Sequence, residues 1–246
     1  EEFKDLPPFA REQLKERYTG GDICIQACAD DEQVAFHAVR NLIRKARSTV
    51  TMKWSQSGFA AIGNRKETPR NLFGFKDGTA NATKEDQFNS IVWCDKDNWM
   101  KGGSYMAVRR IQMHLETWDR TNLNEQEHTF GRYKDSGAPL GEKDEFATVD
   151  LEKKGPDGKP YIPTDSHVHL AHKTGVELLR RSYSYADGIN DTTGQFESGL
   201  LFIAFQKNPQ QFITIQNSLG NEDKMNEYIT HIGSGLFACF GGVKEG

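Results

Sequence analysis

Apolar and polar positions alternate along Gly21-Asp22-Ile23-Cys24-Ile25-Gln26-Ala27-Cys28-Ala29, the period of a strand. Asp30 and Asp31 then offer N-caps to a helix from Glu32 to Ala46, with Val34, Ala38, Leu42 and Ala46 on one face. A second strand is expected at Thr49 to Trp54. Gly58 to Asn81 is rich in Gly, Pro and Asn and predicts a long ordered loop, the kind of segment that often carries function. Ser104 to Glu116 is ambiguous between strand and helix periods, and Asn124 to Thr129 reads as a short helix. Asp135 to Pro163 is polar and turn-rich, so it reads as surface connections. The continuous apolar run Gly199 to Gln206 suits a strand buried on both faces. A helix over Asn221 to Ile232 and a closing strand over Leu236 to Phe240 complete the chain. The order β-α-β occurs twice, which predicts an α+β fold of two ferredoxin-like units, antiparallel sheets with packed helices.

Charge and composition narrow the partners more than the fold. In 246 residues, 35 Asp and Glu nearly balance 31 Lys and Arg, and no long run of one sign offers an arm for nucleic acid. No apolar stretch reaches the roughly 20 residues that span a bilayer. The N-terminus EEFKDLPPFARE lacks the basic and apolar regions of a signal peptide. The 4 cysteines, Cys24, Cys28, Cys94 and Cys239, have no zinc-like spacing and read as buried small apolar residues.

Three segments carry candidate chemistry. Histidines cluster in Asp165-Ser166-His167-Val168-His169-Leu170-Ala171-His172; on an extended segment His167 and His169 would share a face. Zinc, copper, haem or a polar surface loop all fit that cluster. Gly74-Phe75-Lys76-Asp77-Gly78 lies in the long loop, where two glycines let backbone approach a bulky planar ligand; a tight turn with a solvated aspartate fits as well. In Leu178-Leu179-Arg180-Arg181-Ser182-Tyr183-Ser184-Tyr185 the two arginines must face opposite ways, so with Arg181 in solvent Arg180 needs an anionic partner inside.

Taken together, these segments resemble the dye-decolourising (DyP-type) haem peroxidases, particularly the exported bacterial deferrochelatase/peroxidase branch linked to iron uptake. The resemblance covers nearly the whole chain. It includes GGDICIQ at Gly20, DEQVAFHAVRNL at Asp31, NLFGFKDGTAN at Asn71, SGAPL at Ser136, IPTDSHVHLA at Ile162, LRRSYSY at Leu179 and GLLFIAFQ at Gly199. It implies one haem b per chain. His167 would be the proximal iron ligand, Asp77 the distal acid and Arg180 the distal arginine. Phe202 and Leu200 would line the distal side, Gly78 and Thr79 would border the cofactor, and Asp223 would be the acidic partner of His167.

The implied activity is reduction of hydrogen peroxide with oxidation of dyes or other organic reductants. Two alternatives are a haem-binding deferrochelatase that releases iron, and a non-haem metalloprotein built on His167, His169 and His172. The resemblance further implies a homodimer, export to the periplasm or cell envelope, and iron-uptake partners at the membrane. Residues 1–80 are expected to form the remainder of a first unit lacking its start, together with the Asp77 loop, and residues 81–246 a second, haem-binding unit. Two features depart from the family pattern: His169 stands where arginine is common, and the stretch from His167 to Arg180 is shorter than in some relatives.

Overall fold

The computed structural model describes residues 3–60 and 67–242. The best-formed part is an antiparallel sheet. Strand β1 (Ser104–Met113) is flanked by β4 (Phe196–Gln206) on one side and β5 (Ile229–Cys239) on the other. The outer edge beside β4 is shared by the two-residue β2 (Leu179–Arg180) and by β3 (Tyr183–Ile189). Helix α2 (Glu85–Ile91) precedes β1; helices α3 (Leu115–Asp119), α4 (Leu123–Phe130) and α5 (His167–His172) lie between β1 and β2, and α6 (Pro209–Leu219) lies between β4 and β5. With β2 and β3 taken as one interrupted strand, the connectivity is β-α-β-β-α-β, the ferredoxin-like arrangement.

The sequence explains most of these elements. The ambiguous Ser104–Glu116 segment resolves into β1 followed by α3. Asn122 caps α4 by accepting from the Glu125 N–H, and the left-handed Gly131 ends it. β4 admits no side chain at Gly199, where a Cβ would lie 1.8 Å from the Ile111 carbonyl oxygen.

Four expectations are corrected. The helix expected over Asn221–Ile232 is a short 3-10 turn (Lys224–Glu227), and β5 already begins at Ile229; the helix of this region is α6. Its signals were Asn208 as cap, Pro209 at the first position and Gln211 completing a capping box. Neither Gly21–Ala29 nor Thr49–Trp54 forms a strand, because a strand needs a ladder partner and these extended segments have none among the described residues. Cys24 and Cys28, expected inside, are exposed for the same reason, while Cys94 is buried and Cys239 intermediate. Finally, the histidine segment is helical rather than extended.

Helix α1 (Glu32–Ala46) forms where expected, with Asp31 accepting from the Gln33 and Val34 amides, yet it buries no residue. The preceding segment is tied to the sheet instead. The Gln13, Lys15 and Gly20 amides donate to carbonyls of His231, Ile232 and Ser234 along β5, and Glu12 reaches inside to pair with Arg109.

Candidate active site

Asp77 is placed by an aromatic cluster. Phe73 and Phe75, each 2% exposed, pack with Trp118, Phe130 and Tyr228; the Phe75 and Phe130 rings stack at 3.9 Å. The Trp118 indole N–H donates to the Phe73 carbonyl at 3.2 Å, and the Asn71 carboxamide accepts from the Phe73 and Phe75 amides. Two buried phenylalanines flanking Gly74 thus hold an otherwise irregular loop, each worth about 1.5–3 kcal/mol of burial. Gly78, at φ +109°, turns the chain immediately after Asp77. Thr79 donates its hydroxyl to Glu145, which also pairs with Lys76, so the far side of the loop is held too.

Arg180 arrives from the opposite direction, on β2 opposite Ala204 of β4. Its guanidinium lies 3.1 Å from Asp77, and both side chains stay partly open, at 32% and 19%. Arg181 is exposed, as the alternation requires.

His167 is the first residue of α5, where Ser166 caps the helix by accepting from the His169 amide. Helical geometry turns each residue about 100° from the last, so His167 and His169 face opposite ways. The Nδ1 of His167 is 2.7 Å from the Asp223 carboxylate. Asp223 is 4% exposed, and its other oxygen accepts from the Met225 amide, so a turn of backbone fixes the carboxylate that fixes the ring. Burial pushes the His167 pKa down, but the charge and hydrogen bond of Asp223 outweigh it and leave the value raised; Arg180 opposes and Asp77 supports this. Among the described residues Nε2 has no hydrogen-bond partner.

The charges of Asp77 and Arg180 both act on His167, so the three segments converge. His167 keeps 33% of its side chain accessible though it is densely surrounded, and Leu200 and Phe202 stay partly open in the middle of β4. The register puts Phe202 beside Arg109 and Leu200 beside Ile111, which in turn faces His231 on β5, so all five share one face of the sheet. Two surface clefts of about 440 and 430 Å³, lined respectively by Glu142 and Ala147–Leu151 and by Ala10, Lys173 and the end of α6, contain none of these side chains. The helix turns His167 and His169 to different sides, and among the described residues no three His, Cys, Asp or Glu side chains converge as a metal-ion site.

Several residues of the site were not singled out in the sequence. Arg132, 9% exposed, sits near Arg180 and His172; burial and Arg180 lower its pKa and Glu145 raises it. His172 is lowered by burial, then by Arg132 and Arg180. His231 is 8% exposed and pushed down to about 3 by burial, with Arg109 and His167 adding to the effect. Asn81 bonds the backbone of Arg180. Arg132 follows a glycine at a helix end and had no periodic signal, while His231 was hidden by the mistaken helix.

A carboxylate-held histidine near an aspartate–arginine pair on a ferredoxin-like sheet is the arrangement that the resemblance to haem peroxidases implied. Residues 68–244 match the family model for "Dyp-type peroxidase, C-terminal", and residues 1–60 match "Dyp-type peroxidase, N-terminal". The chain belongs to the Dyp-type peroxidase family. It is 39% identical over 259 residues to a protein named deferrochelatase from Escherichia coli (strain K12), an alignment covering 99% of this chain and 60% of that one. The chain therefore spans about 60% of the length of the curated relatives it matches. Among solved structures it resembles a DyP-type peroxidase from Cellulomonas bogoriensis (TM-score 0.92, 34% identity, 99% of this chain and 69% of that one). It also resembles DtpA from Streptomyces lividans, solved as an oxyferrous complex (TM-score 0.91, 35% identity, 99% and 69%).

Proposed function

We propose that this chain binds one haem b between α5 and the sheet and uses it to reduce hydrogen peroxide at the expense of a dye or other organic reductant. The observation that carries the reading is the Asp77–Arg180 pair, 3.1 Å apart and close enough to act on a histidine whose Nδ1 is already committed to Asp223. A carrier of haem has no use for a paired acid and cation on the open side. The donor set suits the group: one imidazole whose Nε2 has no partner among the described residues, apolar Leu200 and Phe202 on β4, and loop residues Gly78 and Thr79, which would border it.

When bound, the haem iron supplies the coordination site and the electrons for cleaving the peroxide O–O bond. Asp77 takes the proton from the incoming peroxide and returns it to the departing oxygen. Arg180 stabilises the negative charge that develops as the bond breaks, a role fit for a cation that does not deprotonate. Asp223 accepts the hydrogen bond from His167 Nδ1–H, which orients the ring and raises the basicity of Nε2. Arg132 lies close enough to Arg180 for their charges to act on each other, with Glu145 offsetting the effect on Arg132 and Asp77 paired with Arg180.

The second reading, iron release from haem, is favoured by the name of the 39% identical relatives. Dimerisation, export to the periplasm or cell envelope, partners of iron uptake at the membrane, and a division near residue 80 into two units belong to the same proposal. Among the described residues no helix is long and apolar enough to cross a membrane. The test is to titrate haem into the protein, confirm a Soret band, add peroxide and follow both dye oxidation and porphyrin fluorescence. Dye turnover with the macrocycle intact supports the peroxidase. Metal-free porphyrin appearing under reducing conditions without dye turnover supports the deferrochelatase, and no Soret band ends both readings.

A further inference from the structure

We propose that Asn81 is a positioning residue for the peroxide step, a clamp that fixes the distal arginine relative to the distal aspartate; the inference rests on the peroxidase reading above. β2 is only two residues long and forms the outer edge of the sheet. Arg181 donates its amide to Ile203 of β4, so the backbone of Arg180, one residue earlier, points away from the sheet. A part-buried edge N–H and C=O left there would lack partners.

The Asn81 side chain takes both. Its Oδ1 accepts from the Arg180 N–H at 2.9 Å, and its Nδ2 donates to the Arg180 carbonyl at 2.7 Å. A carboxamide is the one short side chain that offers donor and acceptor in the plane a neighbouring strand would present. Asn81 stands four residues after Asp77 and is joined to the same turn by its own amide, which donates to the Gly78 carbonyl at 2.9 Å. A Cβ on Gly78 would come within 3.3 Å of Asn81 Nδ2, so this glycine also leaves room for the clamp. One side chain thus fastens the start of the Arg180 side chain to the loop that carries Asp77. The 3.1 Å separation of their charged ends is then set by a single rigid piece rather than by two independent ones.

The test uses the holoprotein of wild type, Asn81→Ala, Arg180→Leu and the double variant, with Asn81→Asp as a milder change that keeps the acceptor and loses the donor. Hydrogen–deuterium exchange of peptides spanning residues 178–183 reads the clamp without reference to activity. Asn81→Ala should exchange about two- to tenfold faster at Arg180, the factor one net hydrogen bond is worth, while Asn81→Asp keeps most of the protection. In stopped-flow mixing with peroxide, Asn81→Ala should slow the first spectral change by about 10- to 100-fold with the Soret band and haem occupancy unchanged. Adding Asn81→Ala to Arg180→Leu should change the rate by less than about twofold, since the clamp acts through Arg180. Unchanged exchange in Asn81→Ala, or an equal slowing in both backgrounds, overturns the proposal. Faster exchange in a protein whose wild type does not react with peroxide overturns the peroxidase reading and reduces the clamp to a purely structural one.

Discussion

Helix α1 and the loop from Pro69 to Asn81 are opposites in how their shape is fixed. α1 has every local signal: a cap at Asp31, an acidic first turn at Glu32 and basic residues Arg44 and Lys45 in the last turn. It nonetheless leaves Val34, Phe36 and Leu42 at 59%, 61% and 51% exposure. The loop has almost no regular structure, yet Phe73 and Phe75 are 2% exposed and its polar atoms are met from distant residues. Local pattern therefore builds the helix, whereas long-range packing builds the site. A helix face becomes core only when something is laid upon it.

The contrast can be broken experimentally, beginning with the largest effect. His167→Ala should abolish stable haem binding, while His169→Ala, on the other side of α5, should keep a Soret band. Equal loss in both would contradict the helical separation of the two rings. Trp118→Ala, at 1% exposure in the centre of the aromatic cluster, should cost about 3–5 kcal/mol in denaturant unfolding. Phe36→Ala on α1 should change stability by only about 0.5 kcal/mol. Comparable losses at the two positions would mean that α1 is covered in solution.

His231 gives a pH dependence with a definite sign. In the folded protein its pKa is pushed down to about 3, while in an unfolded chain histidine titrates near 6.5. Between about pH 3 and 6.5 the unfolded state therefore binds the extra proton, and stability falls as pH falls. His231→Leu should remove up to about 1.4 kcal/mol per pH unit of that slope, read from denaturation midpoints across the window. A slope unchanged by the substitution would mean that His231 is protonated in the fold. The smallest effect is expected at Asp31→Ala, which should cost about 1 kcal/mol confined to α1, visible as faster amide exchange there without any change at the haem site.

Much of the site was legible because its residues sit in compact segments: the Gly-Phe-Lys-Asp-Gly loop, the His167 segment and the two arginines. The structure brings Asp77 to 3.1 Å from Arg180 and Asp223 to 2.7 Å from His167, residues the resemblance had pointed to and whose roles toward haem and peroxide are proposed above. What stayed hidden was relational. Asn81 and Arg180 are 99 residues apart, and nothing in either segment says that a side-chain amide will stand in for a strand. The strands expected at Gly21–Ala29 and Thr49–Trp54 failed for the converse reason, since alternation marks a segment able to pair but not the partner. The misplaced helix at Asn221–Ile232 arose where β5, buried without a break from His231 to Leu236, lacks the alternation that would have marked it as a strand.

The central claim is that Asp77 and Arg180 act together on peroxide, with charge stabilisation by Arg180 the harder part to replace. Rapid mixing of peroxide with wild type, Asp77→Asn and Arg180→Leu at equal haem occupancy tests it most directly. The account predicts a fast first spectral change in the wild type, slowed about 10²-fold or more in Arg180→Leu and by less in Asp77→Asn, because water can relay a proton more readily than it can replace a fixed cation. Wild-type rates in both variants, or loss of the reaction in Asp77→Asn alone, would contradict it.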